Sequence, residues 1–228
     1  MREYNLLEDY PNPQKPRLVS SKLRTIENRI TASYRDINLY DGNRINGYGG
    51  YKYDGRWVKV AKKISTEYNL NNESSFLHIG CEKGFLMHDL KKIHPLMNIS
   101  GIETSEYAIE NSMQNIRKNI INSNYIDMKN FKDDAFDFIY ATGVVYALNI
   151  TDAIKCLKEI IRISNNSFIT LASYTDKKDY WLFKNWTLLG TTILLQKEWE
   201  TILKHVGYKG DYYFTNAKTL NLVDKELS

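Results

Sequence analysis

From Ser75 onward, short apolar runs alternate with amphipathic ones, and that alternation admits few folds. "SFLHIG" reads as a strand and "GFLMHDLKKIH" as a helix; "NISGIE" and "SEYAIENSMQNIRKN" repeat the pair. "NYIDM" reads as a short third strand, "AFDFIYATG" as a fourth, "TDAIKCLKEIIRIS" as a helix and "SFITLASY" as a fifth strand. "QKEWETILKHVG" closes as a helix ending on Gly207, and "YKGDYYFTNA" as a last strand. Strands separated by helices pair through crossovers, so the order predicts an α/β fold. Its sheet is mostly parallel and doubly wound, with helices on both faces.

The upstream quarter reads differently. Residues 1–19 hold all but one of the four prolines and show no periodicity, which marks an arm. "SSKLRTIENRITASYRDI" sets Leu23, Ile26, Ile30 and Tyr34 at helical spacing, with a serine as cap. "YDGNRINGYGGYKYDGRW" is a loop by its glycines and asparagines, yet it carries five tyrosine and tryptophan rings. An amphipathic helix follows, with Trp57, Val60, Ala61, Ile64 and Tyr68 on one face and Lys62 and Lys63 toward water. The chain therefore divides into an amino-terminal helical arm with an aromatic cap loop, 1–55, and an α/β domain, 56–228.

Composition narrows the function. The formal net charge is +4, from 31 basic and 27 acidic residues, without the basic stripe of a nucleic-acid binder. Cys81 and Cys156 are too few for a disulfide framework, and neither they nor the four histidines have metal-ligand spacing. There is no signal-peptide pattern and no apolar run of membrane-spanning length. These features fit a cytoplasmic protein without a metal, a membrane or a nucleic acid, acting on a small molecule.

In a doubly wound sheet the ligand lies at the carboxyl ends of the strands, where strand order reverses. The turn after the first strand, "GCEKG", has Gly80 and Gly84 where backbone N–H groups must approach a ligand closely. Glu103 ends the next strand, where an acid accepts hydrogen bonds from a ribose. A glycine turn alone says little. An acid about twenty residues further on points to an adenosine cofactor.

"LHIGCEKGFL", "GIETSEYAI" and "FKDDAFDFIYA" resemble the successive motifs of the class I S-adenosylmethionine-dependent methyltransferases, over about Ser75 to Tyr174. "YGGYKYDGRW" and "EW…GYKGDYYF" are similar to a bacterial subfamily acting on small molecules, found beside surface-polysaccharide and sugar-nucleotide biosynthesis. The resemblance implies the Rossmann-like methyltransferase sandwich, S-adenosyl-L-methionine as cofactor, and methyl transfer to an oxygen of a small molecule or activated sugar/phosphate compound, in capsule or LPS assembly. It implies Gly80, Cys81, Gly84, Glu103, Thr104, Tyr51 and Arg56 as cofactor-binding residues and Tyr146 as catalytic.

The departures bear on the same site. His78 replaces the family's motif-I aspartate, and Glu82 replaces its central glycine. After the fourth strand, "GVVYAL" replaces a segment with asparagine and histidine and leaves only the Tyr146 hydroxyl. These losses favour a second reading, a catalytically impaired partner of an active paralogue; a homodimer is the other association expected. Two local alternatives stay open. Tyr48, Tyr51 and Tyr53 either close over a cofactor or pack the arm onto the domain. Arg56 either grips the cofactor carboxylate or an anionic substrate, or forms a surface salt bridge. His78 reads as half-buried and structural, and Trp57, Trp181, Trp186 and Trp199 as packing residues, although "YWLFKNWTLLG" lies where lids occur in this fold.

Overall fold

Alternate residues along the central strands point into two different cores, and this packing fixes the architecture. In a computed structural model, which describes residues 1–11 and 15–226, the amino-terminal part contains β1 (Arg2–Glu3), β2 (Arg17–Val19), α1 (Ile26–Ser33), α2 (Ile37–Tyr40) and α3 (Val58–Glu67). Then follow β3 (Ser75–Ile79), α4 (Phe85–Ile93), β4 (Asn98–Glu103), α5 (Glu106–Glu110), β5 (Ile120–Asn122) and β6 (Phe138–Ala141). The carboxyl-terminal part adds α6 (Ile150–Ile163), β7 (Ser167–Tyr174), α7 (Lys177–Trp186), β8 (Leu194–Leu195), α8 (Gln196–Val206), β9 (Asp211–Thr215) and β10 (Leu222–Asp224). The main sheet runs β1-β9-β7-β6-β3-β4-β5, with β8 also on β7, and every pairing is parallel.

Leu77, Ile79, Ile139, Ala141, Ile169 and Leu171 pack under α6 and α8, against residues such as Leu157, Ile160 and Trp199. Phe76, Phe138, Tyr140 and Phe168 turn to the other face, against Val60, Ile64, Leu86 and Leu90 of α3 and α4. This is the period of a β-strand buried on both sides. Trp199, fully buried, also donates its indole N–H to the Ala172 carbonyl at 2.7 Å. The chain leaves β3 toward β4 and β5, then crosses back to β6 on the other side of β3. Strand order therefore reverses between β3 and β6, which opens a crevice above their carboxyl ends.

The doubly wound parallel fold is thus as the sequence predicts, with local corrections. The helix expected over "SEYAIENSMQNIRKN" is helical only at Glu106–Glu110, followed by turns and a 3-10 turn at Arg117–Asn119. The third strand is Ile120–Asn122, and "NYIDM" just after it is a loop; two β-branched isoleucines pair with β4 where the expected stretch has Asp127. The helix cap before α1 is Thr25, whose N–H donates to Asn28 Oδ1 at 2.9 Å. Ile26, Ile30 and Tyr34, set at helical spacing in the sequence, are 64%, 49% and 70% exposed, and Ala32 is the residue of α1 that packs inward.

The amino-terminal segment is tied to the body at both its short strands. β1 extends the sheet on β9, and β2 pairs in parallel with β10. Pro13, one of the prolines that mark the arm, lies outside the described residues.

Gly84 carries the entry into α4. It caps that helix at φ +72°, and a Cβ there would stand 2.2 Å from Ile116 Cδ1. Gly84→Ala combines a left-handed backbone penalty with overpacking, so it should lower unfolding free energy by about 2–3 kcal/mol in urea titration. A loss below about 0.5 kcal/mol would show that the α4 entry relaxes freely.

Candidate functional site

The turn after β3 is held by a single acid. Gly80 and Cys81 donate their N–H groups to the Ile102 carbonyl at 2.8 and 3.1 Å. Glu103, fully buried at the end of β4, accepts from the Glu82 N–H through Oε2 at 2.8 Å. Its Oε1 accepts from Thr104 N–H at 2.8 Å, Ser105 N–H at 2.9 Å and the Tyr125 hydroxyl at 3.2 Å. With the Thr104 hydroxyl at 3.3 Å, five donors stabilise the carboxylate where a full charge would otherwise be costly to bury. Glu103 thus braces the turn from below and still leaves acceptor capacity on Oε2.

Glu82 occupies the left-handed region at φ 51°, the conformation for which a glycine is expected here. Its carboxyl group accepts from the Tyr48 hydroxyl. Burial pushes its pKa up to about 6, opposed by hydrogen bonds from Tyr48 and Tyr51 and reinforced by the charge of Glu103. The neighbouring Lys83, itself buried, forms an ion pair with Asp41 at 2.5 Å and donates to the Tyr51 carbonyl at 3.0 Å. Asp41 also accepts from Tyr51 N–H at 2.9 Å and from the Tyr107 hydroxyl at 2.7 Å. The aromatic segment is therefore bonded to the turn through both Glu82 and Lys83.

Over this turn lies a cavity of about 560 Å³, bounded by the carboxyl ends of β3, β4 and β6 through Gly80, Glu103 and Thr142. That volume is in the range of small-molecule sites. A second cavity of about 320 Å³ adjoins it and shares Gly80, Glu82, Tyr51 and Tyr146. Among the residues singled out from sequence, Gly80, Glu103, Tyr51, Arg56 and Tyr146 border the larger cavity. Cys81 borders only the smaller one, and Gly84 and Thr104 border neither. Gly84 is a packing position, and Thr104 works on Glu103. Cys81 is buried in the core, and burial holds its thiol well above the ordinary range.

Arg56 directs Nε to Asp54 Oδ1 at 2.8 Å and Nη2 to Oδ2 at 2.6 Å, so its fork is committed to that carboxylate. This pairing holds the Asp54 carboxyl below its usual range. The three tyrosines divide. Tyr51 is buried against Phe85 at 4.8 Å and also faces the cavity, while Tyr48 forms its rim. Tyr53 donates to Asp89 Oδ1 at 2.6 Å and borders neither cavity. His78, expected half-buried, is 5% exposed; burial lowers its pKa to about 3 and its Nδ1 has no partner. It borders the smaller cavity as a neutral ring beneath Tyr140. Tyr146 is pushed up to about 12 by burial and by the nearby Glu82 charge.

Sequence reasoning missed Arg17, Arg24, Arg35 and Arg44, all of which border the larger cavity. The signal was present, because seven of the nine arginines fall in the first 56 residues while the lysines spread along the chain. It also missed Tyr125 and Val144. A Cβ on Gly80 would stand 2.5 Å from Val144 Cγ2, so the turn can lie this close only as glycine. Trp186 and the residues to Gly190 border the cavity as well, in addition to packing.

Residues 70–208 match the family model described as "Methyltransferase domain". The chain belongs to that family. Among solved structures, it is similar to the YcgJ protein of Bacillus subtilis at 14% identity and TM-score 0.51, over 64% of this chain and 66% of that one. It is also similar to the [4+2]-cyclase SpnF at 14% identity and TM-score 0.53, over 87% and 75% of the two chains. A SAM-dependent methyltransferase from Aquifex aeolicus aligns at 18% identity and TM-score 0.46, over 68% and 89%. Identities this low speak for the fold, which is the methyltransferase sandwich the sequence motifs imply. No curated protein sequence matches the chain.

The donor set fits the family's cofactor, S-adenosyl-L-methionine: an acid with spare capacity at the end of β4, a close glycine turn, and tyrosine rings beside a carboxylate that suits a sulfonium. No helix among the described residues is long and apolar enough to cross a membrane, and none of their side chains group as a metal site.

Glu82 makes a pH prediction with a definite sign. Its folded pKa lies above the ordinary 4.5, so its favourable contribution is complete below 4.5 and is lost as pH rises through about 6. Glu82→Gln keeps an acceptor for the tyrosines without the charge. It should be more stable than wild type by about 1–2 kcal/mol at pH 8, with the gain fading by pH 4.5. Thermal unfolding at the two pH values measures it, and a gain that grows toward low pH would contradict the assignment.

Proposed function

We propose that this chain transfers a methyl group from S-adenosylmethionine to an oxygen of a small molecule. The observation that carries the reading is the cavity over the reversal point of the sheet, with Gly80 and Glu103 as its floor and the Tyr48–Tyr51 segment as its cover. When bound, the cofactor supplies an electrophilic methyl group on a positively charged sulfur. Glu103 Oε2, which among the described residues serves only the Glu82 N–H, would be the acceptor for a ribose hydroxyl. Glu82, ionised above about pH 6, holds the positive methionyl end together with the faces of Tyr48 and Tyr51.

The chain does little to the acceptor's proton. Tyr146, held protonated by burial, donates a hydrogen bond to the acceptor oxygen and does not remove a proton from it. His78 is neutral and inward, and Asp54 is occupied by Arg56. The site therefore suits an oxygen that arrives already ionised, such as a phosphate or carboxylate oxygen, and its work is alignment and exclusion of water. The YGGYKYDGRW resemblance supports an activated sugar or phosphate compound of cytoplasmic surface-polysaccharide assembly, capsule or LPS, as the acceptor.

A second reading has one observation in its favour: Glu103 exposes no surface and already serves five donors of its own chain. In that reading the protein is the non-catalytic partner of an active paralogue. Calorimetric titration with S-adenosylhomocysteine separates the two. One saturable site is expected, weakened about ten-fold or more in Glu103→Gln, the size of a lost hydrogen bond to a charged acceptor. Absence of binding to the folded wild type would assign the chain to the partner role.

A further inference from the structure

The larger cavity carries its acids and most of its guanidinium groups in different places. Beside the glycine turn stand Glu82 and Glu103, with the buried Arg35 acting on both carboxylates; at the mouth Arg17 and Arg24 gather at Trp186, with Arg44 close enough to act on both. Their elements bring them together from separate places. Arg17 opens β2, pinned by its pairing with β10, and Arg24 immediately precedes the Thr25 cap of α1. Arg44 sits in the turn after α2, and Trp186 ends α7. The Trp186 ring holds the guanidinium groups of Arg17 and Arg24 at 5.3 and 5.1 Å from its centre.

None of these three arginines has a carboxylate partner among the described residues. Each spends one N–H group on a backbone carbonyl: Arg17 on Leu220 at 3.1 Å, Arg24 on Trp186 and Arg44 on Gly47. A guanidinium has five N–H donors in a planar fork, so most of each remains for a ligand. Burial, followed by the charges of Arg44, Arg29 and Arg17, lowers the Arg24 pKa to about 10. Burial and then Arg44 lower that of Arg17 as well. Surface arginines that serve only solubility spread apart or pair with acids, whereas these repel one another, the half-buried Arg17 and Arg24 beside the exposed Arg44. Such an arrangement is costly until an anion neutralises it.

The geometry points to a subsite for a phosphate or pyrophosphate group, held by Arg17, Arg24 and Arg44 at the mouth of the cavity. Several planar forks converging on one place match the oxygen-rich, multiply charged head of such a group better than a single carboxylate. The anion's identification as part of the methyl acceptor rests on the transferase reading; its binding does not. In that arrangement the phosphate end is fixed by the arginines, and the reacting oxygen extends toward Tyr146 and the glycine turn.

Calorimetric titration of the full chain with inorganic pyrophosphate, beside S-adenosylhomocysteine in separate runs, tests the assignment. One saturable pyrophosphate site is expected, competed by orthophosphate and not by acetate at equal ionic strength. Arg44→Gln, at an exposed turn, should weaken it about ten-fold or more, the loss of one charge-assisted contact, with the thermal unfolding midpoint as the check on folding. Lys118→Gln, an exposed lysine away from the cavity, should leave it within about two-fold, as expected for screened surface charge. Pyrophosphate binding without S-adenosylhomocysteine binding would keep the subsite and remove the transferase reading. S-adenosylhomocysteine binding without pyrophosphate binding, or equal weakening by both substitutions, would overturn the subsite.

Discussion

The Glu103 carboxylate is the constraint on which the site depends. It sits fully buried at the end of β4 and takes hydrogen bonds from both sides of the crevice, from Glu82 N–H after β3 and from the Thr104–Ser105 turn after β4. Without it the two adjacent turns would have unsatisfied N–H groups at a buried strand end, a cost of about 1–3 kcal/mol each. With it, Glu82 is held at φ 51° with its side chain directed to Tyr48. One buried acid thus fixes a second, half-buried one, and the second fixes the aromatic cover. The glutamate that replaces the expected glycine therefore replaces flexibility with a polar clamp.

That clamp gives the cavity its electrostatic direction. Glu82 and Glu103 lie by the turn, partly offset by the buried Arg35, and Arg17, Arg24 and Arg44 form a separate basic cluster on the same cavity. In the proposed reaction, fixed charges of this kind would align a cationic donor and an anionic acceptor without rearrangement at the moment of reaction. The protonated Tyr146 on the same cavity is a hydrogen-bond donor.

How far the sequence reaches depends on the range of each interaction. The central strands are legible because each buries both faces and alternates between two cores, so Phe76 and Leu77 each carry a local signal. Glu103 and Gly80 are legible because their spacing follows from the strand–turn–helix geometry. The strand at Ile120–Asn122 was misplaced because it is short, at the sheet edge, and decided by pairing with β4. The exposure of Ile26, Ile30 and Tyr34 illustrates the limit of periodicity, which gives a face but not the neighbour that covers it. The arginine cluster was hidden for a different reason: its members are far apart in sequence and meet only through β2 on β10 and the end of α7.

Amide hydrogen exchange with and without S-adenosylhomocysteine tests most directly the claim that turn, acid and aromatic cover form one unit. The account predicts that ligand slows exchange together in the peptides covering residues 80–84, 103–105 and 48–53, as expected when one opening exposes all three. Slowing confined to 80–84 and 103–105, with 48–53 unchanged, would contradict it and reduce the tyrosine segment to a structural arm.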